Sequence, residues 1–138
     1  RIILGGDHLG PLTWANEPEA QAMQKARELV REFVLAGYKK IHLDTSMRLG
    51  DDDPRQPLAD ETIARRGVEL YAECEAVYRA LREKNPDEVR PVYVIGSEVP
   101  IPGGAVAPED SISITEPSAL ENTLRVYRDV SITVNLPF

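Results

Sequence analysis

Apolar and polar positions along this chain follow two rhythms, and the switches between them mark out the elements. Residues 1–6 run through Ile2, Ile3 and Leu4 to Gly5-Gly6, which reads as a short buried strand ended by glycines. A loop follows, from Leu9 to Ala15, with Pro11 and the single tryptophan, Trp14. Asn16-Glu17-Pro18-Glu19 predicts a helix start: a capping side chain, an early proline, and a glutamate three residues after the cap. The stripe Ala20, Met23, Ala26, Leu29, Val30, Phe33, Val34 then has helical spacing, and Gly37 is placed to end the helix in a left-handed conformation. Residues 40–44 (Lys-Ile-His-Leu-Asp) are the second strand, and residues 45–58 a polar loop. A second helix is predicted from about Asp60 to Lys84 on the stripe Ile63, Gly67, Leu70, Cys74, Val77, Leu81, stopped by Asn85-Pro86. Residues 91–97 are an almost continuous apolar run, which suits a strand buried on both faces.

Thr115-Glu116-Pro117-Ser118 starts a third helix carrying Leu120, Leu124 and Tyr127. The last stretch, 130–138, alternates Val130, Ile132, Val134 and Leu136 and predicts a closing strand. Strands alternating with helices imply a parallel sheet. Two architectures fit: an open doubly wound sheet, or a closed (β/α)8 TIM barrel. A barrel takes about 250 residues, of which this chain would supply roughly half. No short solenoid repeat is present.

Composition narrows the class of protein. With 42% hydrophobic and 28% charged residues the chain reads as a soluble globular protein. No apolar run approaches the roughly 18 residues of a membrane span, and no leader peptide pattern is visible. The start at Arg1, directly in a strand, looks like the inside of a protein. A net charge of −7 argues against a nucleic-acid partner. The single cysteine, Cys74, permits no intrachain disulfide, which fits a cytoplasmic protein.

All three clear strands end in polar residues: Asp7-His8, Asp44-Thr45-Ser46 and Ser97-Glu98. Sites in parallel α/β folds form at the carboxyl ends of strands, and each carboxylate there costs desolvation unless paired. An Asp-His pair can bind a divalent metal through imidazole and move protons through the carboxylate, with Glu98 as a further ligand. His8 reads equally as a hydrogen-bonded loop histidine. His42 shares the strand parity of Asp44 and reads as a hydrogen-bonded interior histidine rather than a ligand. Asp51-Asp52-Asp53 lacks the glycine and distal glutamate of a calcium loop and reads as a solvated acidic loop. Cys74 lies in an apolar stripe and reads as core; Trp14 reads as packing. Gly5-Gly6 and Gly103-Gly104 allow close backbone approach to a ligand, but neither is a P-loop or dinucleotide motif, so a kinase has no motif behind it.

Three segments carry a family resemblance: Leu4-Gly5-Gly6-Asp7-His8-Leu9-Gly10-Pro11, then Lys40-Ile41-His42-Leu43-Asp44-Thr45-Ser46-Met47, then residues 93–105 from Tyr93 to Ala105. Together they resemble the GatZ/KbaZ family, the non-catalytic subunit of class II D-tagatose-1,6-bisphosphate aldolase, sometimes labelled a tagatose 6-phosphate kinase. The resemblance runs over about residues 1–128. It implies an aldolase-type (β/α)8 barrel, in a protein of which this chain supplies about one third, from the middle. It implies Asp7 as catalytic acid/base and His8 as a zinc ligand, Asp44 and Ser46 as the strand-end Asp-x-Ser, and Glu98 as a metal-binding or catalytic glutamate. Ser46, Gly103 and Gly104 are the expected sugar-phosphate contacts. The implied partners are a catalytic class II aldolase subunit and a sugar phosphate, with a homo-oligomer a further expectation. Two functions compete: an accessory subunit in hexitol or amino-sugar catabolism, and a metal-dependent 4-epimerase of tagatose 6-phosphate or a related ketose.

Overall fold

A computed structural model describes residues 2–96 and 117–137. Three five-residue strands, β1 (Gly5–Leu9), β2 (Lys40–Asp44) and β3 (Val92–Gly96), pair in parallel in the order β1-β2-β3. Three helices follow them in turn: α1 (Glu19–Leu35), α2 (Asp60–Lys84) and α3 (Pro117–Thr133), with a short 3-10 turn at Pro11–Trp14. The molecule is thus a parallel α/β fold, as the alternation of rhythms predicts. The expected first strand at 1–6 is displaced: pairing begins at Gly5, opposite Lys40, and runs to Leu9.

The helices cover one face of the sheet. Leu9, Ile41 and Leu43 point into a core with Met23, Ala26, Val30 and Val34 of α1 and Leu70, Cys74 and Val77 of α2. Tyr93 and Ile95 lie opposite Ile41 and Leu43 in the ladder and pack towards the same side. Each large aliphatic side chain so buried contributes about 1.5–3 kcal/mol. Cys74 is fully buried, and Trp14 packs against this core, as expected. The other face carries Lys40, His42 and Asp44 of β2, with Val92 and Val94 of β3 beside them, and has no helix over it among the described residues. The outer strand β3 is therefore half-exposed, where the apolar run 91–97 predicted burial on both faces.

Helix ends follow local chemistry, with two departures from expectation. Gly37 ends α1 at φ 86, with Gly37 N–H on the Val34 carbonyl and Tyr38 N–H on that of Phe33, a Schellman closure. The expected cap at Asn16 does not form. The N-cap position is Pro18, and the exposed amide of Glu19 is instead bonded by the Asp51 carboxylate at 2.9 Å, from a loop 32 residues away. The closing strand expected at 130–138 is also absent. Val126, Tyr127 and Ser131 are buried along the continuing face of α3, while Ile132 and Val134 are exposed. The apolar alternation there lies partly on a helix, and Asn135 at φ 56 ends it with a second Schellman closure.

The acidic loop is bound into the fold. Arg66 of α2 is completely buried and bonds both Glu19, at 2.6 and 3.1 Å, and Asp52, at 2.8 and 2.9 Å. Asp52 also accepts the Leu49 amide at 2.8 Å, and Asp53 is paired with Arg55. Asp51 and Asp53 are exposed, as a solvated acidic loop requires, while Asp52 is drawn in, and Asp51 and Asp52 tie the β2–α2 loop to the start of α1 and to Arg66. Arg66 acts on both carboxyl groups. Burial works to raise Glu19, but Arg66 and Arg65 outweigh it and hold the carboxyl below its usual range; the Arg66 hydrogen bonds do the same for Asp52.

Candidate functional site

The site is built by an irregularity in the β1–β2 ladder. Gly6 lies opposite Ile41 and Leu9 opposite Leu43, so the two residues Asp7 and His8 stand against the single residue His42. This is a β-bulge, unusual in a parallel pair. Its backbone mark is His8 at φ 49, a left-handed conformation that a non-glycine residue adopts at a cost of about 1–3 kcal/mol. A regular strand would send Asp7 and His8 to opposite faces. Here both lie on the helix-free face, while Gly6 and Leu9 remain buried. Gly10, just beyond, runs against β2: a Cβ there would fall 1.8 Å from the Asp44 carbonyl oxygen, so only glycine fits.

The polar side chains form two crossed carboxylate–histidine pairs. His42 Nδ1 lies 2.7 Å from Asp7 Oδ1, and the same oxygen accepts from Lys40 Nζ at 2.8 Å. His8 Nδ1 lies 3.0 Å from Asp44 Oδ2, and Asp44 Oδ1 accepts from the Ser46 hydroxyl at 2.7 Å and the Ser46 amide at 3.1 Å. The two imidazole rings are 4.5 Å apart at 48°. Donor atoms of Asp7, His8 and His42, one from each, lie within 4.8 Å of one another.

Charge in the cluster is balanced locally. Hydrogen bonds from Lys40 and His42 pull the exposed Asp7 carboxyl down to about 2. Burial works to raise Asp44, but the hydrogen bonds from Ser46 and His8 outweigh it and hold the group below its usual range. Both carboxylates are therefore ionised at neutral pH, and a carboxylate that accepts Nδ1–H from an imidazole turns the lone pair to Nε2. The donor set of two imidazoles and carboxylate oxygen fits a divalent ion of zinc type.

Of the residues singled out from sequence, Asp7, His8, Asp44 and Ser46 are brought together at the carboxyl ends of β1 and β2. Glu98, Gly103 and Gly104 lie outside the described residues. His42, read as an interior histidine, is hydrogen-bonded as expected and is also a full member of the cluster. Its strand parity with Asp44 was the signal. A cavity of about 420 Å³ lies elsewhere, between α2, α3 and β3, lined by Gly67, Tyr71, Arg90, Tyr93 and Tyr127. It contains none of the cluster residues and sits on the helix-covered side of the sheet.

Known proteins share this sequence and fold. Residues 1–136 match the family model described as D-tagatose-1,6-bisphosphate aldolase subunit GatZ/KbaZ-like. The D-tagatose-1,6-bisphosphate aldolase subunit GatZ of Escherichia coli O1:K1 / APEC is 44% identical over 136 residues, covering 99% of this chain and 31% of that protein. The same subunit of Escherichia coli O6:K15:H31 (strain 536 / UPEC) gives the same figures. The chain thus spans under a third of the length of these curated relatives. A crystal structure described as a probable tagatose 6 phosphate kinase from Sinorhizobium meliloti 1021 superposes with a TM-score of 0.74 at 35% identity, covering 97% of this chain and 28% of that one. The family match extends through the α3 end, beyond the residues 1–128 on which the resemblance was drawn. No helix among the described residues is long and apolar enough to cross a membrane. The chain belongs to the GatZ/KbaZ-like family of D-tagatose-1,6-bisphosphate aldolase subunits.

Proposed function

We propose that this chain is part of a single (β/α)8 barrel domain that serves as the accessory, stabilising subunit of a class II tagatose-1,6-bisphosphate aldolase, in cytoplasmic galactitol, tagatose or amino-sugar catabolism. Sequential strand order and helices on one face are what a barrel wall requires. The observation that carries the functional reading is the pair of carboxylate–histidine contacts at the carboxyl ends of β1 and β2. In this reading His8 holds a divalent metal, zinc by its donor chemistry, with Glu98 joining it. Such a metal, when bound, supplies Lewis-acid polarisation of a ketose carbonyl. Asp44 fixes the ring of His8 and is itself fixed by Ser46. Asp7, kept ionised by Lys40 and His42, is present in the form that accepts a proton. Ser46, Gly103 and Gly104 contact the sugar phosphate. The partner is the catalytic aldolase subunit, and the protein self-associates as well.

A second reading, a metal-dependent ketose-phosphate 4-epimerase acting by retro-aldol cleavage and re-addition, is favoured by one observation. A purely scaffolding subunit has no use for a strained His8 aimed at Asp44. The test uses the whole protein, with and without the catalytic subunit, as wild type and His8→Ala. Metal content and tagatose-phosphate cleavage and epimerisation are measured. Turnover by the purified protein alone selects the epimerase. Stimulation of the partner only, lost with the metal in His8→Ala, selects the accessory role. An unchanged metal content and activity in His8→Ala sinks the site itself.

A further inference from the structure

In the reading above His42 serves only to hold Asp7, yet it is built like a ligand. Its Nδ1 is held by Asp7, and its Nε2 faces the end of β3, where a Cβ on Gly96 would lie 3.7 Å away. His8 has the same construction through Asp44. A carboxylate behind an imidazole fixes the ring and raises its basicity towards a metal. Two ligands of one zinc-type ion, each about 2.1 Å from it, stand no more than about 4.2 Å apart. A nitrogen of His8 and one of His42 already lie within 4.8 Å of each other, close to that limit.

Packing alone does not account for the arrangement. His8 is 42% exposed and pays the backbone cost of its left-handed conformation, so its ring gains little from burial. What the bulge achieves is to place His8 beside His42. We infer that His42 is a metal ligand alongside His8, with Asp7 and Asp44 as the carboxylates behind the two rings, so that β1 and β2 together supply two imidazoles to one first-row divalent ion. The inference rests on the proposed metal site at His8 and adds His42 to it.

The experiment loads the whole protein with Co2+ and follows the visible and near-ultraviolet spectrum of wild type, His8→Ala, His42→Gln and His42→Cys. Circular dichroism checks folding in each. His42→Cys is expected to add a thiolate-to-cobalt charge-transfer band that wild type lacks. His42→Gln, which can still hydrogen-bond Asp7, is expected to lose Co2+ affinity by about tenfold or more. If His42→Cys folds without the band, or His42→Gln binds Co2+ as wild type does, while His8→Ala loses it, His42 only positions Asp7. The inference then falls and the His8 site stands. If wild type binds no Co2+, or His8→Ala binds it unchanged, both fall. Should His42→Cys not fold, the affinity of His42→Gln decides.

Discussion

Two clusters of charged side chains stand out in this fold, and they are finished differently. In the knot around Arg66, the guanidinium is wholly buried and its nitrogens meet carboxylate oxygens of Glu19 and Asp52. In the cluster at the bulge, each histidine is tied through Nδ1, with no Nε2 partner among the described residues, and the side chains face the side of the sheet that no described helix covers. The first arrangement is closed: it has nothing left to offer a ligand. The second is open at the imidazole Nε2 atoms. Charge density alone does not separate structural from functional clusters; unused valence does.

Breaking the closed knot has the largest expected effect. Arg66→Ala strips Asp52 of its buried partner and leaves Glu19 with Arg65 alone, and should cost about 3–5 kcal/mol, read from urea or thermal unfolding. A loss under about 1 kcal/mol would mean that the knot is not closed as described. In the open cluster, Asp44→Asn should instead weaken metal binding by about 10–100-fold with little change in unfolding, measured by competitive titration with a chelator. A large stability loss with unaltered metal affinity would exchange the roles of the two regions.

Acid tests the knot more gently. Glu19 and Asp52 have folded-state values below their ordinary 4.5 and 3.8, so their contribution is present above those values and is lost as pH falls through the lower, folded ones. The unfolding midpoint of wild type should therefore drop on acidification below about pH 4.5, and less steeply in Arg66→Met. Parallel curves for the two proteins would contradict this. The smallest effect is expected at Lys40. Removing it in Lys40→Met should leave unfolding unchanged but let the Asp7 carboxyl rise from about 2 towards its ordinary 3.8, followed by carboxyl NMR titration.

These differences also explain what could be read from the sequence. Strand β2 and helix α2 were legible to the residue because hydrophobic period decides them and the core agrees. Asp7, His8 and Asp44 were legible as strand-end residues. Their mutual contacts were not, because the bulge is a property of pairing with β2 and leaves no mark in the order Gly6-Asp7-His8-Leu9. Nothing in the sequence sets Arg66 apart from the other charges of α2; its burial depends on Glu19 and Asp52 arriving from elsewhere in the chain. The tail failed for a related reason. Val130 and Val134 lie four apart, a spacing that an alternating strand and a helix share, and it is the left-handed Asn135 that shows where the helix ends.

The bulge has a further consequence for anyone transplanting or searching for this site. Its one surplus residue resets the phase of the strand, so that adjacent side chains become neighbours in function while Leu9 keeps its seat in the core. The tetrapeptide Gly-Asp-His-Leu grafted onto a regular strand would present only one of the pair to a given face. The portable unit is the two-against-one register with its partner strand, and a motif written as consecutive letters does not contain it.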